Sequence, residues 1–288
     1  MKPAPFAFVR PRTLEEALAA LAGEPGAKVL AGGQSLVPLL SMRLAAPSMI
    51  VDINALPDLG HVTCDEAGVR IGALARHAEV LASAEATESQ PLLAMALGNV
   101  AHPTIRNRGT TVGSLVHADA AAEMPMVLRL LGGSVDVASV RGRRTIPAAE
   151  LYAGPLESTL AHDEIAVEAF FPALPAGAGV AFEEIARRHG DYALVGVAAH
   201  VECVGDEVAA ARLGYLSVSD VPVVVDVTAA VRGEGDDPAG MALRELDPAG
   251  DIHASADYRA HLVRVLTARV LAAATTHALE RARERGSR

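Results

Sequence analysis

Lys28-Val29-Leu30-Ala31-Gly32-Gly33-Gln34-Ser35-Leu36-Val37-Pro38-Leu39-Leu40 holds an apolar run that can end a strand, two glycines, a polar pair, and an apolar run that can begin a helix. Glycine reaches positive φ and lets backbone come close to a bound group with no Cβ between them. Successive N–H groups in such a turn form an anion-binding concavity, and Ser35 can cap the helix or donate to a ligand. The stretch has the outline of a phosphate cradle. Two glycines also serve many strand-to-helix turns that bind nothing, so the flanking sequence has to decide.

Upstream, residues 6–11 read as a short strand closed by Pro11. Thr13 is a good N-cap, with Glu15 and Glu16 in the first turn and Ala17, Leu18 and Leu21 on one face of the helix that follows. Gly23 and Pro25-Gly26 stop that helix before the cradle strand. Downstream, residues 48–53 read as another strand, ended by Asn54 and Pro57. This β-α-β-turn-β order predicts a small subdomain of residues 1–57 with the cradle at its edge.

Residues 69–73 look like a strand, 78–86 like a helix, and Pro91 opens a helix through Leu97. The segment 98–125 is too polar and too broken for either regular period, and a long irregular stretch inside a compact domain is usually functional or disordered. Interleaved Ala, Val and Ile argue for order. Its Thr110-Thr111-Val112-Gly113-Ser114 core reads as a second small-residue turn able to face an oxygen-rich ligand. Beyond it come a helix to Leu131, a hairpin turning at Arg141-Gly142, and a strand over 164–170. Pro172, Pro175, Gly177 and Gly179 mark the clearest linker. Strands over 180–188, 193–203 and 207–219 follow, then helices over 242–246 and 257–279.

Composition narrows the class. The chain has 288 residues, enough for two or three subdomains, and half of it is apolar, but only 3% is aromatic, so the core is aliphatic. A net charge of −10 argues against binding a nucleic-acid backbone. Two cysteines, Cys64 and Cys203, cannot by themselves ligate an iron–sulfur cluster or structural zinc. With no apolar leader at the start and no uninterrupted apolar run near 20 residues, the sequence predicts a cytoplasmic chain with no membrane span.

The histidines have no H-x-x-x-H spacing and read as surface or loop residues, and neither Ser35 nor Ser114 sits in G-x-S-x-G, so metal and hydrolase readings are poor. Asp119 and Glu123 lie four apart, either as helix-start carboxylates or as acceptors for ligand hydroxyls. Arg106 and Arg108 read as phosphate partners or as solvated charges, and Tyr192 as a stacking or a packing residue. There is no G-x-G-x-x-G, so a Rossmann site is unsupported. Two small-residue turns in separate subdomains suit a long ligand with a pyrophosphate in the middle.

Ala31-Gly-Gly-Gln-Ser35, the run Ile105-Arg-Asn-Arg-Gly-Thr110 leading to Gly113-Ser114, His117-Ala-Asp119 with Glu123-Met-Pro125, and Arg188-His-Gly-Asp-Tyr192 together resemble one family over essentially the whole chain. It is the FAD-binding medium subunit of molybdenum hydroxylases of the carbon monoxide dehydrogenase/xanthine dehydrogenase type. The resemblance implies an α+β chain: a two-subdomain FAD-binding domain of vanillyl-alcohol-oxidase type over residues 1–175 (subdomains about 1–57 and 58–175), then a smaller α+β C-terminal domain over 178–288. It implies that Ala31, Gly32, Gly33, Gln34 and Ser35 hold the FAD pyrophosphate and that Thr110, Thr111, Gly113 and Ser114 contact its other side. Val100, Ile105, Asp119, Glu123, Ile165 and Tyr192 would complete the cofactor site, Tyr192 covering the flavin ring. It further implies a molybdenum-cofactor large subunit and a [2Fe–2S] small subunit as partners, in a heterotrimer or its dimer. Electrons would pass from the clusters through FAD to an external acceptor. A stand-alone flavoprotein or flavin-free relative of the same fold is the alternative. Two residues depart from the family pattern. Val112 stands where glycine is usual, a strained choice if its φ is positive. Glu183-Glu184 fills a stretch where many members carry lysine, which predicts altered charge beside the flavin.

Overall fold

Among the described residues, three larger sheets with their helices and one two-stranded hairpin build the molecule. The computed structural model describes residues 2–286. Strands β1 (Ala7–Val9), β2 (Ala27–Leu30) and β3 (Met49–Asp52) form a three-stranded parallel sheet in the order β1-β3-β2. Parallel neighbours need crossovers, and the helices Leu14–Gly23 and Leu36–Met42 supply them. Thr13 caps the first as expected, its Oγ1 accepting from the Glu16 N–H at 3.2 Å, while Ala17, Leu18 and Leu21 are buried.

The second sheet is antiparallel throughout. It comprises β4 (Val62–Asp65), β5 (Gly68–Gly72), β6 (Ser134–Ser139) and β7 (Gly142–Pro147); then β8 (Tyr152–Gly154) and β9 (Glu157–Ser158) make a small hairpin of their own before β10 (Ile165–Pro172) returns to the centre. The order is β4-β5-β10-β6-β7. Strand β4 was not expected. In the segment 98–125 the structure corrects the sequence reading: it contains the helices Pro103–Arg106 and Thr111–His117. Pro103 at the first helical position and Thr110 as N-cap start them, and both are too short for their periodicity to register. The helix expected over 78–86 breaks at Ser83 into His77–Ala82 and Ala84–Ser89.

The third sheet runs β11 (Ala178–Ala186), β12 (Ala193–Val204), β13 (Glu207–Leu216) and β14 (Val223–Asp226), antiparallel and in chain order. Strand β14 follows Pro222 and is too short to show alternation. The helix Ala256–Gly286 covers one face, burying Leu262, Val263, Leu266, Val270 and Ala274 in a core shared with Val195, Val197 and Leu213. By length and composition it could cross a membrane, but that buried stripe makes it a core helix.

The helix Glu123–Leu131 packs against β12 and β13 as well as the helices of the preceding domain. Every residue of it except Arg129 is buried, so it joins the two domains. Arg129 donates to the Pro222 carbonyl at 2.5 Å, and the Ser217 N–H donates to the Ala120 carbonyl at 2.9 Å. These bonds fix the third sheet against the loop that precedes the helix.

Candidate functional site

The cradle forms where β2 ends. Gly33 has φ +72°, and among the described residues the N–H groups of Gly33, Gln34 and Ser35 meet no protein acceptor. The Ser35 hydroxyl does not cap the helix it precedes, and Gln34 Nε2 donates to the Gly32 carbonyl at 3.0 Å. A Cβ on Gly32 would lie 2.4 Å from the Arg108 carbonyl oxygen and 2.8 Å from Gly109 Cα. The first turn therefore presses directly on the second, which only a residue without a side chain allows.

Two residues that the sequence reading did not single out lock this junction. Asn54 Nδ2 donates to the Ala31 carbonyl at 2.8 Å. The Arg76 guanidinium donates to Asn54 Oδ1 at 2.7 Å and to the Arg108 carbonyl at 2.8 Å. Residue 76 also forms an antiparallel bridge with Thr110, and the His77 N–H donates to the Gly109 carbonyl at 3.0 Å. Partial burial lowers the Arg76 pKa, with Arg108 adding repulsion that Glu79 and Asp52 oppose. His77 is buried against Thr111, Nδ1 to Oγ1 at 3.2 Å, and burial together with Arg106 drops its pKa to about 4, so the ring is neutral.

The second motif differs from the expected open turn. Thr110 caps the helix Thr111–His117, its Oγ1 accepting from the Gly113 N–H at 3.1 Å, so that N–H is engaged within the protein. Val112 sits in the first turn of this helix, not at positive φ, with its side chain in the main core. The anticipated strain at residue 112 does not arise. Thr111 is wholly buried, whereas Gly113 and Ser114 are part-exposed. Arg106 spends its guanidinium on the Val100 and Ala101 carbonyls at 2.8 and 2.9 Å, holding the loop rather than facing a phosphate. Val100 is buried and Ile105 is part-exposed. Ile165 stands apart: it starts β10 opposite Ala138, its side chain in the core, with no hydrogen bond to the other candidates.

A third wall comes from the C-terminal domain. The turn carrying Gly190 (φ +85°) lies so close to the Ala101–His102 loop that a Cβ there would be 2.8 Å from the Ala101 carbonyl. Tyr192, 68% exposed, lies beside Asp119 and Glu123; desolvation and those two charges raise its pKa. Glu123, at the start of its helix, is 8% exposed; burial first, then Glu184 and Asp119, push its pKa up to about 8. Glu184, on β11, is pushed to about 7 by burial, and its Oε2 is buried without a partner. Its neighbour Glu183 instead pairs with Arg269 at 2.7 Å on the surface. Of the two departing acids, only Glu184 turns inward.

Two family models cover the chain: the FAD binding domain in molybdopterin dehydrogenase over residues 4–174, and the CO dehydrogenase flavoprotein C-terminal domain over residues 180–274. The chain belongs to the FAD-binding medium subunits of molybdenum hydroxylases. It is 42% identical to the 6-hydroxypseudooxynicotine dehydrogenase complex subunit alpha of Paenarthrobacter nicotinovorans, over 98% of this chain and 97% of that one. It is 38% identical to the caffeine dehydrogenase subunit beta of Pseudomonas sp. (strain CBB1), over 95% and 96% of the two chains. Among solved structures, a chain of quinoline 2-oxidoreductase from Pseudomonas putida 86 superposes with a TM-score of 0.88 at 36% identity, covering 97% of this chain and all of that one. One from the carbon monoxide dehydrogenase of Hydrogenophaga pseudoflava gives 0.89 at 31%, covering 96% and 99%. Like these medium subunits, the chain is an FAD-binding oxidoreductase subunit with an FAD-binding domain followed by a C-terminal domain. The cradle fits the cofactor: three N–H groups and a hydroxyl that meet no partner among the described residues, beside a glycine contact, are donors suited to a pyrophosphate.

Proposed function

We propose that this medium subunit holds FAD between the cradle and the C-terminal wall and serves as the electron-transfer subunit of a three-component molybdenum hydroxylase. The observation that carries the reading is the Asn54–Arg76–Arg108 lock. It fixes a donor-rich turn of one subdomain against the second motif of the next, giving a rigid two-sided support for a long cofactor.

Bound FAD supplies a redox centre that accepts and releases electrons singly or in pairs. The residues of the chain bind and orient it. Gly33, Gln34 and Ser35 would donate N–H groups to the pyrophosphate, part-exposed Ser114 would offer its hydroxyl, and Asp119 and Glu123 would accept from the cofactor's hydroxyls. Tyr192, exposed in the turn beside Asp119, would cover the flavin ring. Ala31, Gly32, Thr110, Thr111, Gly113, Val100, Ile105 and Ile165 shape the surrounding backbone. In such an assembly a small subunit would carry the [2Fe–2S] clusters that supply electrons and a large subunit the molybdenum cofactor that oxidises the substrate, this chain holding the FAD between them and an external acceptor. The two separated cysteines leave the cluster ligands to another chain. The names of the relatives make caffeine, quinoline and hydroxylated nicotine derivatives the first compounds to assay.

Affinity purification of the tagged chain from its native host tests this. The expected product is an assembly with two further subunits, an FAD spectrum, and flavin bleaching when a substrate is added. A chain that purifies alone with FAD and oxidises a substrate without molybdenum overturns the reading.

A further inference from the structure

The helix Leu36–Met42 carries no charged residue, reading Leu-Val-Pro-Leu-Leu-Ser-Met, yet only Leu40 of it is buried. A helix without a polar face normally lies inside a protein. Here no other described helix or strand packs extensively along it. The crossovers β1 to β2 and β2 to β3 run in opposite directions across the first sheet, so right-handed connections put their helices on opposite faces. Val9, Val29 and Val51 turn toward the main core, on the side of Ala17, Leu18 and Leu21. Phe8, Ile50 and Lys28 are register partners on the three strands and turn the other way. Ile50 and Leu40 are buried, and neither belongs to either core, so they pack on this outer face.

The margins of that face stay open and apolar. Phe8 on the edge strand β1 is 55% exposed, and Met42 and Leu44, at the end of the helix, are 52% and 71% exposed. The chain has five phenylalanines and no tryptophan, so exposing both Phe6 and Phe8 here spends much of its aromatic surface on one edge. Arg43 Nε donates to the Lys2 carbonyl at 3.2 Å and the Ala7 N–H to the Ser48 carbonyl at 2.8 Å, laying the segment 43–48 along 2–7. Lys2, Lys28 and Arg43 are exposed around these groups, and among the described residues none of the three pairs with a carboxylate. The nearby acids are engaged: Asp52 with Arg10, Glu16 with the Arg12 N–H, and Glu24 with the Ser48 hydroxyl. In a chain of net charge −10 this face is locally cationic.

We propose that Phe6, Phe8, Met42 and Leu44, ringed by Lys2, Lys28 and Arg43, form the surface on which another subunit of the assembly docks, through an apolar patch of its own rimmed by carboxylates. The proposal rests on the reading of the chain as one subunit of a larger assembly. An apolar centre within a charged rim is the usual anatomy of a protein interface, with aromatic side chains enriched at its centre. The cations select an acidic rim, fix its register and speed the encounter. A second copy of this chain fits poorly, because a two-fold contact through this face would gather the same cations from both copies. An anionic bilayer fits poorly too, since it would repel a chain of net charge −10.

Two measurements on the full chain test it. The first is hydrogen exchange in the assembly purified from the native host, compared with the same chain released from it. Segments 6–9 and 36–44 should exchange more slowly in the assembly. The second is the yield of co-purified subunits per tagged chain for Phe8→Glu, Leu44→Glu and the double variant Lys28→Glu/Arg43→Glu. Each apolar variant should lower that yield by about tenfold or more, the scale of a central interface residue, with FAD per chain unchanged as the check on folding. The charge variant should weaken recovery, and raised salt should then matter less than it does for the unaltered chain. An assembly that forms with these segments equally exchangeable and the yield unchanged in every variant overturns this docking surface and leaves the proposed function standing. An unaltered chain that purifies alone as a monomer overturns both. Self-association, or binding to vesicles of anionic phospholipid, that Leu44→Glu abolishes would assign the face to a second copy or to a membrane and overturn the acidic partner.

Discussion

Arg76 reaches Asn54 Oδ1 at 2.7 Å with one arm of its guanidinium and the Arg108 carbonyl at 2.8 Å with another, bridging the double-glycine turn and the second motif. Asn54 completes the bridge by donating to the Ala31 carbonyl. Replacing Arg76 with Ala should cost about 2 kcal/mol, the scale of hydrogen bonds to a charged group. FAD affinity should fall by about tenfold or more, since 1.4 kcal/mol of lost preorganisation is a factor of ten. Arg76→Lys keeps the charge but loses the fork, and should recover little. Chemical denaturation and FAD titration measure the two effects. Coupling between Arg76→Ala and Asn54→Ala in a double-mutant cycle checks that they act as one unit.

Gly32→Ala is the sharper probe of the cradle. Its Cβ would be 2.4 Å from the Arg108 carbonyl, against backbone that cannot swing aside, so the turns must separate. Overpacking of this kind costs about 1–3 kcal/mol. The loss should appear chiefly in FAD affinity, because the third sheet has its own core and does not sense the shift. A variant with unchanged FAD affinity would mean that the spacing of the two turns does not set the cofactor site.

The crossover pattern around β1 to β3 was legible because each signal is local: a cap at Thr13, a stop at Gly23, glycines at 32 and 33. The four motifs carried the family for the same reason. What escaped was whatever depends on distant partners. Arg76 and Asn54 lie 22 residues apart and show no periodicity, and only tertiary contact turns them into a lock. Glu183 and Glu184 read as equivalent acids, yet strand alternation sends one to Arg269 on the surface and leaves the Oε2 of the other buried. Val112 was misjudged from a motif alone; the capping role of Thr110 makes residue 112 helical and directs it into the core. Strands β4 and β14, four residues each, had too little length to display alternation.

Stability should vary with pH in a way these buried groups set. Glu123 and Glu184 are raised from 4.5 to about 8 and about 7, so the folded state binds more protons than the unfolded state between those values. Their contribution is full below about 4.5 and is lost as pH rises through about 7 to 8. His77 acts oppositely: lowered from 6.5 to about 4, it favours the fold above 6.5 and withdraws that support as pH falls toward 4. The FAD-free chain should melt several degrees lower at alkaline pH than at mildly acidic pH. Glu123→Gln should flatten the alkaline limb, and His77→Gln the acid one. Melting curves across pH check both, and a wild-type midpoint that rises steadily into the alkaline range would refute the raised values of Glu123 and Glu184.

Val112→Gly places at this position the glycine that the sequence resemblance leads us to expect and tests whether the valine is a defect. The structure says it is not. Val112 is 2% exposed, packs in the main core, and occupies the first turn of a helix at negative φ. Glycine there would remove buried aliphatic surface and loosen the helix backbone, together about 2–3 kcal/mol. It would open no new donor to the cofactor, because the neighbouring Gly113 N–H stays on Thr110 Oγ1. The expected result is a lower melting temperature with FAD affinity unchanged or weaker. Tighter FAD binding in the variant would mean that the valine side chain obstructs the site, contrary to its placement in the core.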